Sequence, residues 1–114
     1  MTSINGSPGL TILMVENEEV TVCLLEFVLQ KNGYRVIHSN NGEHAKRLMS
    51  TMDPPDAVLI DMILPDTTGL DLLAYLRIQA RWQTTPVAML TTNAESLDPA
   101  QTALLGVDDY IRKP

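Results

Sequence analysis

Short apolar runs alternate with helix-like stretches along the whole chain. Five runs predict β-strands, most of them apolar on both faces, at residues 10–15, 34–38, 57–60, 86–90 and 107–112. The stretches between them predict four helices. The evidence is apolar residues at helical spacing, or residues that typically start and end a helix. Alternating strands and helices predict an α/β fold with a parallel sheet between two helical layers. We expect a flavodoxin-like α/β/α sandwich with strand order 2-1-3-4-5.

Individual helices carry local signals for their faces and ends. The first helix has the spacing of one apolar helix face at Val20, Leu24, Phe27 and Val28. Cys23 lies on the same helix and is predicted to be a packed thiol. Thr68, with Asp71 three residues on, resembles a capping box at the start of the third helix. Asp98 is predicted to cap the fourth helix, and Gly106 to end it.

Length and composition narrow the class of protein. The chain has 114 residues and a formal net charge of −6, which suits one acidic domain over 10–114 and argues against direct contact with nucleic acid or an anionic membrane. Its single cysteine excludes an internal disulfide framework. Residues 1–9 are predicted to be a flexible leader without the features of a secretory signal. No apolar run approaches the roughly 18 residues that span a bilayer, so we expect a cytoplasmic domain.

Polar side chains follow four of the five predicted strands. Glu16 and Asn17 follow the first strand, Asp61 the third, Thr91 the fourth and Lys113 the fifth. The carboxyl ends of parallel strands meet at one edge of the sheet, so these groups are expected to converge. Oxygen ligands suit Mg²⁺, and an ammonium and a hydroxyl suit a phosphoryl group. An aspartate held there could become an aspartyl phosphate.

Simpler roles are also open to these residues. Each signal alone is weak, because an acidic residue after a strand often caps the next helix and a terminal lysine is usually solvated. Neither a dinucleotide-binding glycine motif nor a P-loop is present. Asp61 has no second aspartate two residues on, which argues against a hydrolase of the haloacid dehalogenase kind, and we expect no enzyme. His38 and His44 are interpreted as ordinary surface or half-buried histidines.

Four segments together resemble the receiver domain of bacterial two-component response regulators, over about residues 10–114. They are residues 15–18 at the end of the first strand, residues 59–65 together with Gly69, residues 86–91 and residues 106–114. The resemblance implies that Asp61 accepts a phosphoryl group from the phosphohistidine of a sensor histidine kinase or phosphotransfer protein. It further implies that Mg²⁺ is held by Glu16, Asn17, Asp61 and the backbone carbonyl of Ile63.

The resemblance also implies a switch and a control of its lifetime. Thr91 matches the hydroxyl that moves to the phosphoryl oxygen, and Tyr110 matches the aromatic ring that turns inward with it. Lys113 matches the lysine that pairs with the phosphoryl group. Ile63 and Asn93 match the positions beside the path of the hydrolytic water. The domain would then control a downstream output domain or partner protein.

Two departures from the family pattern qualify this hypothesis. Asn17 stands where the family usually has a metal-binding aspartate, so we expect weaker Mg²⁺ binding. It leaves open an alternative, a pseudo-receiver that binds proteins without depending on phosphorylation. The family's fifth helix would be absent from this chain, which would expose an apolar face and could allow a homodimer.

Overall fold

The computed structural model describes residues 9–92 and 99–113. Its elements, in order, are β1 (Thr11–Val15), α1 (Glu19–Lys31), β2 (Arg35–Ser39), α2 (Gly42–Thr51), β3 (Ala57–Asp61), α3 (Gly69–Arg77), a 3₁₀ turn (Ala80–Trp82), β4 (Val87–Thr91), α4 (Pro99–Leu105) and β5 (Asp109–Arg112). The five predicted strands and four predicted helices are all found, with shifts of one or two residues at most strand ends. The leader before Gly9, Asn93 and the predicted cap Asp98 lie outside the described residues.

The five strands form one parallel sheet in the order β2-β1-β3-β4-β5, which confirms the predicted flavodoxin-like topology. Val15, the last residue of β1, pairs with Ser39 on β2 and with Ile60 on β3. On the other side, Asp61 pairs with Leu90. The carboxyl ends of neighbouring strands are therefore level with one another, and the residues that follow them share one edge of the sheet.

Two hydrophobic clusters lie on opposite faces of the sheet and make the fold three-layered. Leu13 and Val15 belong to the cluster that includes residues of α2 and α3. Ile12 and Met14 belong to the cluster that includes Val22 of α1. Alternate residues of a strand point to opposite faces, so β1 contributes to both clusters, as expected of a central strand. None of the helices within the described ranges is long and apolar enough to cross a bilayer.

The apolar stripe predicted for α1 is not the face that packs on the sheet. Val20 is 75% exposed and Phe27 is 63% exposed, while Val22 is buried in the core. Cys23 is exposed as well, so the prediction of a packed thiol is wrong. Apolar residues lie nearly all round this helix, and periodicity alone therefore could not identify the face that meets the sheet.

Candidate functional site

Three charged side chains meet at the carboxyl edge of the sheet. Nζ of Lys113 lies 2.9 Å from Oδ2 of Asp61 and 3.3 Å from Oε1 of Glu16. Both carboxylates are buried. Asp61 ends β3, whereas Glu16 follows β1 and Lys113 follows β5. The parallel register of the strands therefore brings the three side chains together. The predicted convergence of these three groups is thus seen in the fold.

Glu16 is held by contacts from three directions. Its Oε2 accepts a hydrogen bond from the backbone N–H of Glu18 at 2.8 Å. Its own N–H donates to the carbonyl of Ser39 at 2.9 Å, and its carbonyl is 2.8 Å from Nε2 of His38. A carbonyl oxygen can only accept, so Nε2 of His38 carries the proton in this contact. Backbone and side chain of Glu16 are therefore both fixed.

Charge in this cluster is set by burial and by the neighbouring groups. Burial raises the pKa of Glu16, and the charge of Asp61 adds to that effect, against the opposing hydrogen bond from Glu18. Burial acts to lower the pKa of Lys113, but the hydrogen bond and charge of Asp61 and the charge of Glu16 outweigh it, so that pKa is raised. Lys113 is therefore a firmly protonated cation between two acids.

One buried carboxylate oxygen of Glu16 indicates that a cation would fit at this site. Oε1 of Glu16 has no hydrogen-bond partner in the described part of the chain, although the ammonium of Lys113 is near it. A buried carboxylate oxygen without a donor is costly, and a divalent cation would satisfy it. Asn17 follows Glu16 on the surface, and Ile63 is exposed two residues after Asp61.

The predicted ligands fit Mg²⁺ better than they fit a metal ion that is bound by side chains alone. Among the residues the structure describes, no three His, Cys, Asp or Glu side chains cluster as a metal site. Mg²⁺ needs few protein ligands because it keeps several waters. Oxygen ligands of the kind that Mg²⁺ takes are present at the four predicted positions: two carboxylates, one amide and one backbone carbonyl, at Glu16, Asp61, Asn17 and Ile63.

The loop after β3 is folded tightly against the acidic residue it follows. The N–H of Gly69 donates to the carbonyl of Met62 at 2.7 Å. A Cβ atom at position 69 would lie 2.3 Å from the carbonyl oxygen of Asp61, so only glycine fits without a shift. Oγ1 of Thr68 accepts from the N–H of Asp71 at 3.1 Å, which confirms the predicted cap of α3.

The remaining predicted residues are those of the switch and of the phosphoryl lifetime. Thr91 ends β4, and its carbonyl accepts a hydrogen bond from the N–H of Lys113 at 2.7 Å. Tyr110 lies on β5 with 39% of its surface exposed. Asn93 falls outside the described residues. Their roles in a switch, like that of Ile63 in phosphoryl lifetime, stay predictions.

His38, interpreted from the sequence as an ordinary histidine, contacts the site. It is half-buried, as expected, but its ring meets the backbone of Glu16. The sequence signal for this contact was the position of His38 near the end of the second strand, which the predicted sheet order places beside the first strand. In the structure His38 pairs with Met14 of β1.

Comparison with known proteins identifies the family. Residues 12–114 match the family model described as the response regulator receiver domain. Over 103 residues the chain is 38% identical to the alkaline phosphatase synthesis transcriptional regulatory protein PhoP of Bacillus subtilis, covering 90% of this chain and 42% of that protein. It is 37% identical over 103 residues to the transcriptional regulatory protein KdpE of Mycobacterium tuberculosis, covering 90% of this chain and 44% of that protein. The chain thus spans less than half the length of these curated relatives.

Solved receiver structures resemble the fold closely. The receiver domain of the sensor histidine kinase PA1611 from Pseudomonas aeruginosa superimposes with a TM-score of 0.82 at 33% identity, covering 93% of this chain and 86% of that one. That structure has a magnesium ion coordinated in its active-site cleft. The N-terminal domain of a response regulator receiver protein from Methanoculleus marisnigri gives a TM-score of 0.79 at 32% identity, covering 91% of this chain and 84% of that one. With the fold, the acidic edge of the sheet and the family match in agreement, the chain belongs to the response regulator receiver domain family.

Proposed function

We propose that this domain is a phosphorylation-dependent switch in which Asp61 accepts a phosphoryl group. The observation that carries the proposal is the contact of Lys113 with the buried carboxylates of Asp61 and Glu16, one of whose oxygens lacks a hydrogen-bond donor. The donor is the phosphohistidine of a sensor histidine kinase or phosphotransfer protein. An oxygen of Asp61 forms the new P–O bond as the P–N bond breaks, and the imidazole nitrogen keeps the electron pair and takes a proton.

The residues around Asp61 have distinct proposed roles in this transfer. Lys113 neutralises negative charge on the phosphoryl oxygens from its position 2.9 Å from Asp61. Glu16, Asn17, Asp61 and the carbonyl of Ile63 would hold Mg²⁺. When bound, the ion supplies further charge neutralisation to the transferring group.

We assign the conformational change that follows phosphorylation to the side of the sheet formed by β4 and β5. Thr91 ends β4 beside Lys113, so its hydroxyl can move to donate to a phosphoryl oxygen. Tyr110, on the neighbouring strand, is the proposed second switch residue. The two curated relatives are transcriptional regulatory proteins, and we propose that this domain likewise controls an output domain or partner protein.

A second candidate is a pseudo-receiver that binds partners independently of phosphorylation. Asn17 favours it, because an amide supplies no charge to a divalent cation where the family usually has a carboxylate. Lys113 favours it too, since its ammonium already compensates both acids without a metal.

Labelling by a small phosphodonor distinguishes the two candidates. The protein is incubated with acetyl phosphate, with and without Mg²⁺, and the intact mass is measured. The switch hypothesis expects Mg²⁺-dependent gain of one phosphoryl group, absent in Asp61→Asn and retained in Asp53→Asn, whose exposed carboxylate pairs with Arg81. Failure of the wild type to gain mass at saturating Mg²⁺, while Asn17→Asp becomes labelled, would instead support the pseudo-receiver.

A further inference from the structure

Asp66, in the loop between β3 and α3, binds the start of a different helix. One carboxylate oxygen accepts from the N–H of Gly42 at 2.8 Å, and the other accepts from the N–H of Glu43 at 2.9 Å. These are the first two amides of α2, which have no partner within their own helix. The third amide, of His44, donates to Oδ1 of the N-cap Asn41 at 2.7 Å. Asp66 thus completes a cap that Asn41 begins.

The fit between this loop and α2 is tight at position 42, where a side chain would force its neighbours to shift. A Cβ atom on Gly42 would lie 2.5 Å from Cγ2 of Thr67 and 3.3 Å from Oδ1 of Asp66. The hydrogen bonds from the two α2 amides also lower the pKa of Asp66, so it is ionised at neutral pH. A negative charge at a helix N-terminus is favourable. Hydrogen bonding and charge therefore hold the loop to α2, and Gly42 allows the close approach.

The same loop carries the residue whose carbonyl is assigned to the metal. The N–H of Ile63 is 3.4 Å from Oδ1 of Asp61. Beyond it the loop turns back, with the N–H of Leu64 donating to the carbonyl of Thr67 at 3.0 Å and that of Gly69 to Met62 at 2.7 Å. Asp66 lies at the tip of this turn, and its contacts with α2 join the tip to a neighbouring helix.

We propose that Asp66 is a positioning residue for the phosphoryl-acceptor site, acting by tying the β3–α3 loop to the N-terminus of α2. The tether keeps Ile63 where its backbone faces Asp61. The part of this inference that concerns Mg²⁺ rests on the proposed function, whereas the tether itself does not. Asp66 touches neither the metal donors nor Lys113 in the described contacts, so it would act only through the loop.

A matched pair of variants tests the tether. Asp66→Ala and Asn41→Ala each remove a side chain that caps α2, but only the first releases the loop. Amide hydrogen exchange is followed at Leu64 and Gly69 in the metal-free protein, and Mg²⁺ affinity is measured by titration. We expect exchange about tenfold faster in Asp66→Ala and close to wild type in Asn41→Ala. Mg²⁺ binding should be about tenfold weaker in Asp66→Ala alone.

The exchange rates and the Mg²⁺ affinities decide between the tether and a simple helix cap. Equal loop exchange in the two variants would overturn the inference, because Asp66 would then act only as a cap. Unchanged Mg²⁺ affinity in Asp66→Ala, with normal binding by the wild type, would overturn the positioning role. If the wild type binds no Mg²⁺, the proposed function fails and loop exchange alone decides the tether. Should Asp66→Ala not fold, Asp66→Asn, with one acceptor oxygen in place of two, should show an intermediate rate of exchange.

Discussion

The ammonium nitrogen of Lys113 lies 2.9 Å from Oδ2 of Asp61, which joins the ends of two strands that are not neighbours in the sheet. Its 3.3 Å approach to Oε1 of Glu16 extends the link to β1. One cation therefore holds three strand ends together at the edge where the proposed chemistry takes place. Its removal should affect both stability and cation binding.

Lys113→Met is expected to lower the free energy of unfolding by about 3 kcal/mol, because it leaves two buried carboxylates without their cation. The same variant should bind Mg²⁺ more tightly, since the competing charge is gone. Urea denaturation and metal titration measure the two effects. Arg81→Met is the control, because its pair with Asp53 is exposed and should be worth less than about 1 kcal/mol. Equal losses in the two variants would contradict the interpretation.

Gly69→Ala should lower the free energy of unfolding by about 3 kcal/mol, since the new Cβ meets the backbone of Asp61. Gly106→Ala separates this steric effect from backbone strain. Gly106 has a φ of +72° and room for a Cβ, so its variant should lose only about 1 kcal/mol. Denaturation curves that rank the two variants the other way would show that the contact with Asp61 relaxes easily.

Asn17→Asp adds a negative charge beside Glu16 and should tighten Mg²⁺ binding about tenfold, or about 1.4 kcal/mol. Isothermal titration or competition with Mn²⁺ measures the change. Gln30→Glu adds the same charge on α1 and should leave the affinity almost unchanged. Equal or weaker binding by Asn17→Asp would place residue 17 outside the metal site.

Ile63→Asn should speed the loss of the phosphoryl group about tenfold, or about 1.4 kcal/mol in barrier. Ile63 is 64% exposed two residues after Asp61, and its side chain cannot hydrogen-bond a water, whereas asparagine can orient one. Decay is followed at saturating Mg²⁺ after removal of the donor. Ile78→Asn, at an isoleucine that is 73% exposed near the end of α3, should decay like the wild type. No difference between the two variants would show that Ile63 does not protect the phosphoryl group.

The raised pKa of Glu16 predicts the pH dependence of Glu16→Gln. Burial and Asp61 make the folded state bind the Glu16 proton more tightly than the unfolded state does. The stability that Glu16 contributes is therefore present at low pH and is lost as the pH rises through its raised pKa. The variant does not titrate there, so its free energy of unfolding, relative to that of the wild type, should increase as the pH rises above the ordinary pKa of a glutamic acid, about 4.3. Urea denaturation at several pH values measures this, and a gain in the opposite direction would contradict the sign.

The order of elements and the members of the acidic cluster were predictable from the sequence. Parallel strands have level carboxyl ends, so residues that follow apolar runs must share one edge whatever the loops do. Glu16, Asp61 and Lys113 each stand directly at such a point, and the structure brings them into contact. The helix ends at Thr68 and Gly106 were equally predictable, because they depend on local backbone chemistry.

Tertiary structure alone decided which face of α1 is buried and which distant segments bind each other. The stripe containing Val20 and the opposite stripe containing Val22 are both apolar, and only docking on the sheet chose the second. The contacts of His38 with Glu16 and of Asp66 with α2 join residues separated by more than twenty positions. No local pattern encodes such pairs, because they arise only when the assembled sheet brings the loops at its edge within hydrogen-bonding distance.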